Sequence, residues 1–136
     1  RHFDEGAVKG TSMACSKDGS TYACGSSSGV VNIYDSKAAA GGGPRPSPLK
    51  TLMNITTPLD TLRFNHDGQI MAMASSRAKD CLRLVHVPSR TVFANWPTAK
   101  TPLHNVSAMD FSPKSRFCAI GNAKGKVLLY RLDHYA

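Results

Sequence analysis

Four things are scarce in this 136-residue sequence: cysteine pairs, tryptophan, acidic side chains and long apolar runs. The four cysteines, Cys15, Cys24, Cys81 and Cys118, form no C-x-x-C pair and no Cys/His cluster with zinc spacing. A metal site is therefore not expected. Cys15, Cys24 and Cys118 lie in apolar, strand-like runs, where a reduced thiol behaves as a small hydrophobe. That reading fits a reducing compartment. No apolar run reaches the ~18 residues of a membrane span, so no membrane partner is expected.

Acidic residues are few. Seventeen Lys and Arg stand against nine Asp and Glu, for a formal charge of +8. Such an excess suits an acidic environment, nucleic acid included, and suits a solvated surface equally well. Apolar residues make up 41% of the chain, enough for a packed core. The chain opens in "RHFDEGAVKG" without an initiator Met, and the expectation is a segment of a longer protein.

What the sequence does contain is a repeat with a period near 48. Its three copies are "SMACSKDGSTYACGSSSGVVNIYD" from Ser12, "TLRFNHDGQIMAMASSRAKDCLRLVH" from Thr61 and "SAMDFSPKSRFCAIGNAKGKVLLYR" from Ser107. Each runs from an alternating strand through a polar turn to a small-residue strand, then through a second turn to an apolar strand. Gly19, Gly68 and Ser115 hold the same place in the first turn, 49 and then 47 residues apart. Turn residues recur too often for helices of ordinary length, and the apolar residues alternate as in strands. Between copies lie fourth-strand candidates, "KTLMNIT" (Lys50 to Thr56) and "TVFANWP" (Thr91 to Pro97).

Four short antiparallel strands per unit at this period predict an all-β fold of β-propeller blades, with a sandwich of repeated hairpins as the alternative. The units are expected at about 11–56, 59–97 and 106–132, all within one propeller domain. Three blades do not close a ring, so three alone leave two apolar ends uncovered. The segment "SKAAAGGGPRPSPL" (36–49) is too poor in large apolar residues to order itself, and reads as a flexible loop between the third and fourth strands of the first unit.

The stretch "GNAKGKVLLYRL" (Gly121 to Leu132) is superficially a phosphate loop. A Walker loop needs four residues between its glycines, Ser or Thr after the lysine and a helix beyond. Here three residues separate Gly121 from Gly125, Val127 stands in the hydroxyl position, and a strand pattern follows. The first copy has the same spacing, Gly25 to Gly29, without a lysine, so both pairs read as hairpin elements with glycine at positive φ. No cofactor or small-molecule substrate is expected. The histidines His2, His66, His86, His104 and His134 are scattered without catalytic or metal spacing, and no G-x-S-x-G elbow exists. Asp110 reads as a strand-turn hydrogen-bonding residue, and no catalytic residue is assigned; the chain is not expected to be an enzyme. Trp96 reads as core, or as an exposed anchor.

The strand order places the second-to-third-strand turns at the same end as the connections between units. That end collects Lys9, Arg77, Lys79, Lys100, Lys124 and Lys126; the opposite end carries Lys17, Arg90, Lys114 and Arg116. With both ends basic, charge alone does not choose a face. The first set are candidate contacts to RNA phosphates or acidic partners, or else solvated charges.

"FSPKSRFCAIGNAKGKVLLYRL" resembles the WD-repeat family, with Tyr34-Asp35, Val85-His86 and Tyr130-Arg131 where Trp-Asp would stand. His104 is the nearest counterpart of the family's His, and Ser28 and Lys124 replace its turn Asp. The resemblance therefore implies blades held by apolar packing in place of the family's Asp–His–Ser/Thr–Trp network. Over nearly the whole chain, "YACGSSSGVVNIYD", "KTLMNITTPLDTLRFN", "LRLVHVPSRTVFANWP" and "MDFSPKSRFCAIGNAKGKVLLYRLDHY" are similar to the WD-repeat U-three small nucleolar RNA-associated proteins of the small-subunit processome. That resemblance implies the C-terminal part of a larger, seven-bladed propeller. It implies a non-catalytic nucleolar scaffold that joins other propeller and scaffold proteins, contacts precursor ribosomal RNA or small nucleolar RNA, and supports pre-18S processing. The competing expectation is a WD-repeat adaptor that binds a peptide in an unrelated complex.

Overall fold

A computed structural model describes residues 9–35, 48–93, 96 and 103–132 of the chain. Eleven strands appear among them. The first sheet pairs β1 (Gly10–Cys15), β2 (Thr21–Ser26), β3 (Val31–Asp35) and β4 (Lys50–Leu52) in sequence order. The second pairs β5 (Thr61–Phe64), β6 (Ile70–Ala74), β7 (Leu82–His86) and β8 (Thr91–Val92), and the third β9 (Val106–Phe111), β10 (Phe117–Asn122) and β11 (Val127–Arg131). Every pairing is antiparallel. The chain is thus all-β, in sheets of three and four strands built like propeller blades, as its repeat predicts.

The alternation in β6 shows how the sheets stack. Successive side chains of a strand point to opposite faces. Met71 and Met73 enter one core with Ala23, Val31, Ile33 and Ile55 of the first unit and Leu59 just after it. Ala72 and Ala74 enter the other with Val106, Met109, Cys118 and Ile120 of the third. β7 divides in the same way, Leu82 and Leu84 toward the third sheet and Val85 toward the first. The second sheet is therefore buried on both faces, and its small residues let a neighbour approach closely. Each fully buried Leu or Met contributes about 1.5–3 kcal/mol of transfer free energy.

On the third sheet, the face turned from the second presents Phe117, Val127 and Leu129; Val127 is 75% and Leu129 65% exposed. This is one of the two uncovered apolar ends expected of three blades.

The first turns repeat the same hydrogen bond. Ser16, Asn65 and Ser112 each accept a main-chain N–H five residues on, from Thr21, Ile70 and Phe117, at 3.0–3.1 Å. Gly19, Gly68 and Ser115 hold φ of 76°, 73° and 58°. Ser115 tolerates that conformation while buried, and its hydroxyl joins two units: Oγ accepts the His66 main-chain N–H at 3.1 Å and lies 2.6 Å from His66 Nδ1. In the first unit the Asp18 carboxylate is held below its usual range by the Ser20 main-chain N–H and by the Ser16 and Ser20 hydroxyls.

Three sequence expectations change. The fourth strands are shorter than their apolar runs: β4 stops at Leu52 and β8 at Val92. Ile55 and Leu59 are apolar because they pack at the junction between sheets. Phe93 and Trp96 instead lean on the second core, where Trp96 meets Tyr130 edge to face at 5.1 Å. Cys15 is exposed, because β1 lines a groove of about 670 Å³ with β5 and β9, while Cys24 is half-buried and Cys118 fully buried. Gly25 and Gly121 do not have positive φ; Gly29 and Gly125 alone supply it, at 86° and 77°. The 36–49 loop does join β3 to β4, but 36–47 lie outside the described residues.

Candidate functional site

The basic end is built on three turns. In the third sheet, Asn122 N–H donates to Lys126 O at 3.1 Å and Gly125 N–H to Asn122 O at 3.1 Å. The Asn122 carboxamide oxygen then accepts the main-chain N–H groups of Lys124 (3.0 Å) and Lys126 (3.2 Å). Asn122 is buried and both lysines are exposed, so a fixed backbone carries two free cationic arms into solvent.

In the second sheet the turn is longer. Ser75 N–H closes it on Cys81 O at 3.0 Å, and the Ser75 hydroxyl accepts from Thr57 Oγ1 at 2.8 Å and from Arg77 N–H at 3.3 Å. Asp60, on the connection arriving from the first unit, accepts from the Ser76 N–H and hydroxyl. Arg77 and Lys79 project from this turn, both exposed. In the first sheet, Ser27 N–H donates to Lys9 O at 2.9 Å, which sets exposed Lys9 beside the β2–β3 turn.

The structure thus brings Lys9, Arg77, Lys79, Lys124 and Lys126 to one end of the stacked sheets. Lys100 lies outside the described residues. The carboxylates of that end, exposed Asp60 and half-buried Asp80, accept main-chain N–H groups. At the other end, Lys17, Lys114, Arg116 and Arg90 occupy the turns, and Asp18 and Asp67 sit exposed among them. Acidic side chains therefore stand among the cations at both ends, and Asp18 and Asp67 likewise accept the Ser20 and Gln69 main-chain N–H groups.

Sequence reasoning missed Asp80. The Ser28 and Lys124 positions lack the turn Asp, but the second turn carries one just before β7, hidden by the extra length of "SSRAKD". Asp80 N–H donates to His104 O at 2.8 Å, and Asp80 Oδ1 accepts His104 N–H at 2.8 Å. Both residues are at positive φ, 54° and 57°. Asn105 adds a bond from Nδ2 to Ser76 O at 3.0 Å. The expectation that apolar packing alone holds the blades is corrected here: a polar clasp fixes this turn to the connection between the second and third units, using the His104 main chain and not its ring. Asp80→Ala is expected to lower stability by about 2 kcal/mol, through an orphaned N–H and a strained φ. Asp80→Asn, which keeps the acceptor and tolerates this backbone, should recover most of the loss. Denaturant midpoints of the two variants check this.

Among the described residues of the basic end, no nucleophile is hydrogen-bonded to a base that could activate it: the Ser76 hydroxyl donates to the Asp60 carboxylate, a weak base, and the Thr57 hydroxyl to Ser75. Among the described residues no group of three or more His, Cys, Asp or Glu is placed to hold a metal ion. Asp110 accepts the Phe111 N–H at 2.9 Å, the local role expected of it. The chemistry this end offers is cationic contact from rigid turns.

The family model described as WD domain, G-beta repeat, matches residues 2–35. Over 97% of its length the chain is 48% identical to the U3 small nucleolar RNA-associated protein 18 homolog of Arabidopsis thaliana. Over its whole length it is 47% identical to the homolog of Homo sapiens, and over 83% it is 50% identical to U3 small nucleolar RNA-associated protein 18 of Saccharomyces cerevisiae. The chain spans about a quarter of these relatives' length, 24% of the first two and 19% of the third.

Proposed function

From the premise that this chain belongs to the WD-repeat family, we propose that it is part of a non-catalytic propeller scaffold of the small-subunit processome, supporting pre-18S ribosomal RNA processing in the nucleolus. One observation carries the reading: similarity at 47–50% identity, over most or all of the chain, to proteins named for association with U3 small nucleolar RNA. Its partners are other propeller and scaffold proteins of that assembly, and the precursor ribosomal RNA or the small nucleolar RNA itself. The family model matched is described as a repeat, WD domain, G-beta repeat.

The basic end supports this reading physically. Lys9, Arg77, Lys79, Lys124 and Lys126, together with Lys100, which lies outside the described residues, are the residues proposed to meet phosphates or acidic protein surface. On turns whose backbone is already fixed, binding orders only the cationic side chains, and each phosphate neutralised releases condensed counterions.

Affinity purification of the tagged protein from cells tests the proposal. Recovery of processome proteins and precursor ribosomal RNA, with nucleolar localisation, is the expected result; a cytoplasmic protein recovered with an unrelated complex would overturn it. The double variant Lys124→Glu and Lys126→Glu should reduce RNA recovery severalfold. If these lysines meet phosphates, it should also flatten the salt dependence by about one log–log unit for each phosphate no longer neutralised. Unchanged recovery would leave these lysines as solvated charges.

A further inference from the structure

The two ends of the stacked sheets differ in the placement of aromatic rings. Tyr22, Tyr34, Phe64, Phe111 and Phe117 lie at strand ends on the side of the first turns, away from the basic end. Phe93, Trp96 and Tyr130 are set against the second core. Every Phe, Tyr and Trp among the described residues is thus placed off the basic end. The flat groups of that end are the Arg77 guanidinium and the half-buried His104 ring.

What stands between the cations there is small. Ser28, Ala123 and Gly125 are exposed, and Ser27 and Ala78 are half-buried. Five cations, Lys9, Arg77, Lys79, Lys124 and Lys126, stand against two carboxylates, Asp60 and Asp80, each already accepting a main-chain N–H. Asp60 accepts from the Ser76 hydroxyl as well. An excess of positive charge therefore remains on a surface of low side-chain relief.

This combination separates two kinds of RNA. A single strand is held by stacking successive bases on aromatic side chains while cations track its backbone. In a duplex the bases already stack on each other, and phosphate and sugar face outward. Cations among small side chains suit the duplex and give successive unpaired bases no series of rings to rest on. The backbone of the turns works in the same direction. Ser75 N–H closes one turn on Cys81 O at 3.0 Å, and Asn122 N–H closes another on Lys126 O at 3.1 Å. Fixed turns suit a partner whose phosphates are themselves fixed, whereas a flexible strand must be ordered on binding. A duplex also carries the denser charge, because both strands contribute to each length of axis.

We propose that the basic end recognises the sugar–phosphate backbone of duplex RNA, without stacking bases and without reading sequence. This rests on the reading above, in which that end meets RNA, and narrows it to base-paired segments.

Fluorescence anisotropy with the full-length protein tests it. The labelled probes are an RNA hairpin with a long uninterrupted stem, a uridine oligonucleotide of the same length and a polyglutamate peptide. At physiological salt the hairpin should bind about tenfold more tightly than the uridine strand (1.4 kcal/mol), and scrambling its stem sequence should change nothing. The double variant Lys124→Glu and Lys126→Glu should weaken the hairpin severalfold, which assigns the binding to this end. Ala123→Trp places a ring at an exposed position of the same turn. It should strengthen the uridine strand about tenfold and leave the hairpin no tighter, with an unchanged circular dichroism melt verifying the fold. Equal or tighter binding of the uridine strand by the parent would overturn the proposal. So would a hairpin affinity unmoved by the lysine variant, a uridine affinity unmoved by Ala123→Trp, or preference for polyglutamate over the hairpin. None of these outcomes reaches the processome reading, which is judged on purification and localisation. A duplex-binding protein recovered with an unrelated complex would be the converse failure.

Discussion

Gly29→Ala is expected to destabilise the protein by more than about 3 kcal/mol, and Gly125→Ala, at the equivalent place two units later, by only about 1–2 kcal/mol. Both glycines close second-to-third-strand turns, and both sit at positive φ, 86° and 77°. An L side chain pays for that conformation equally at either site, and this accounts for the whole of the Gly125 loss. The difference lies in what surrounds them. A Cβ on Gly125 meets nothing within 4 Å. On Gly29 it overlaps the Ile55 carbonyl oxygen and lies 2.7 Å from the Ile55 carbonyl carbon and 2.9 Å from Thr56 Cα. These are main-chain atoms of the connection to the second unit, which cannot rotate aside as a side chain can. Ile55 and Leu59, on that connection, are buried in the first core, so a backbone shift there propagates into packing. Equilibrium denaturation of the two alanine variants measures the pair. Equal losses would mean that φ alone decides and that the close approach relaxes freely.

That contrast also marks how far the sequence can be read. The glycine spacing, three residues between Gly25 and Gly29 and between Gly121 and Gly125, is identical in the two copies and correctly indicates a hairpin. It does not show which glycine bends and which merely fits. Gly25 is needed for space, since a Cβ there would overlap Ser12 Oγ and come 3.1 Å from Leu59 Cβ. Strand identity was legible because alternation is a local signal, and the turn at Gly19, Gly68 and Ser115 because its hydrogen bonds are local too. Strand ends were less legible. The runs containing Ile55 and Phe93 are apolar for tertiary reasons, and alternation cannot distinguish a strand from a packed junction.

The basic end divides in the same manner. That Arg77, Lys79, Lys124 and Lys126 share an end with Lys9 follows from strand order alone, and the structure places them so. That Asp60 and Asp80 are held on main-chain N–H groups there depends on bonds between residues 16 and 24 positions apart, for which the local sequence has no signature. Asn65 and Asn122 were invisible for a related reason. Their oxygens do what Ser or Asp does in any turn, and only burial shows that their NH2 groups are surplus.

Iodoacetamide should label Cys15 on the order of a thousand times faster than Cys118 at pH 8, although both thiols read alike in sequence, each within an apolar strand. The thiolate is the nucleophile, so access and ionisation together set the rate. Cys15 is exposed on β1, at the groove. Cys118 is fully buried in the second core, and burial, reinforced by the Asp110 carboxylate, pushes its pKa up from 9.0 to about 12. Its ionised fraction at pH 8 is then roughly one in ten thousand. Mass spectrometry of the alkylated peptides over time reads the ratio, with half-buried Cys24 and Cys81 falling between. The same displacement has a consequence for stability. A thiol whose folded pKa lies above its unfolded value stabilises the fold fully below the unfolded pKa, and that contribution is lost as pH rises through the folded one. For Cys118 the window is pH 9 to about 12. At pH 10 the unfolded chain gains about 1.4 kcal/mol from ionising this thiol, whereas the native state gains almost nothing. Cys118→Ala removes that slope at the cost of a small cavity. The stability difference between the parent and Cys118→Ala should therefore shrink by about that amount from pH 8 to pH 10, a comparison in which the titrating lysines and tyrosines common to both proteins cancel. A difference that stays constant across this range would place Cys118 in contact with water.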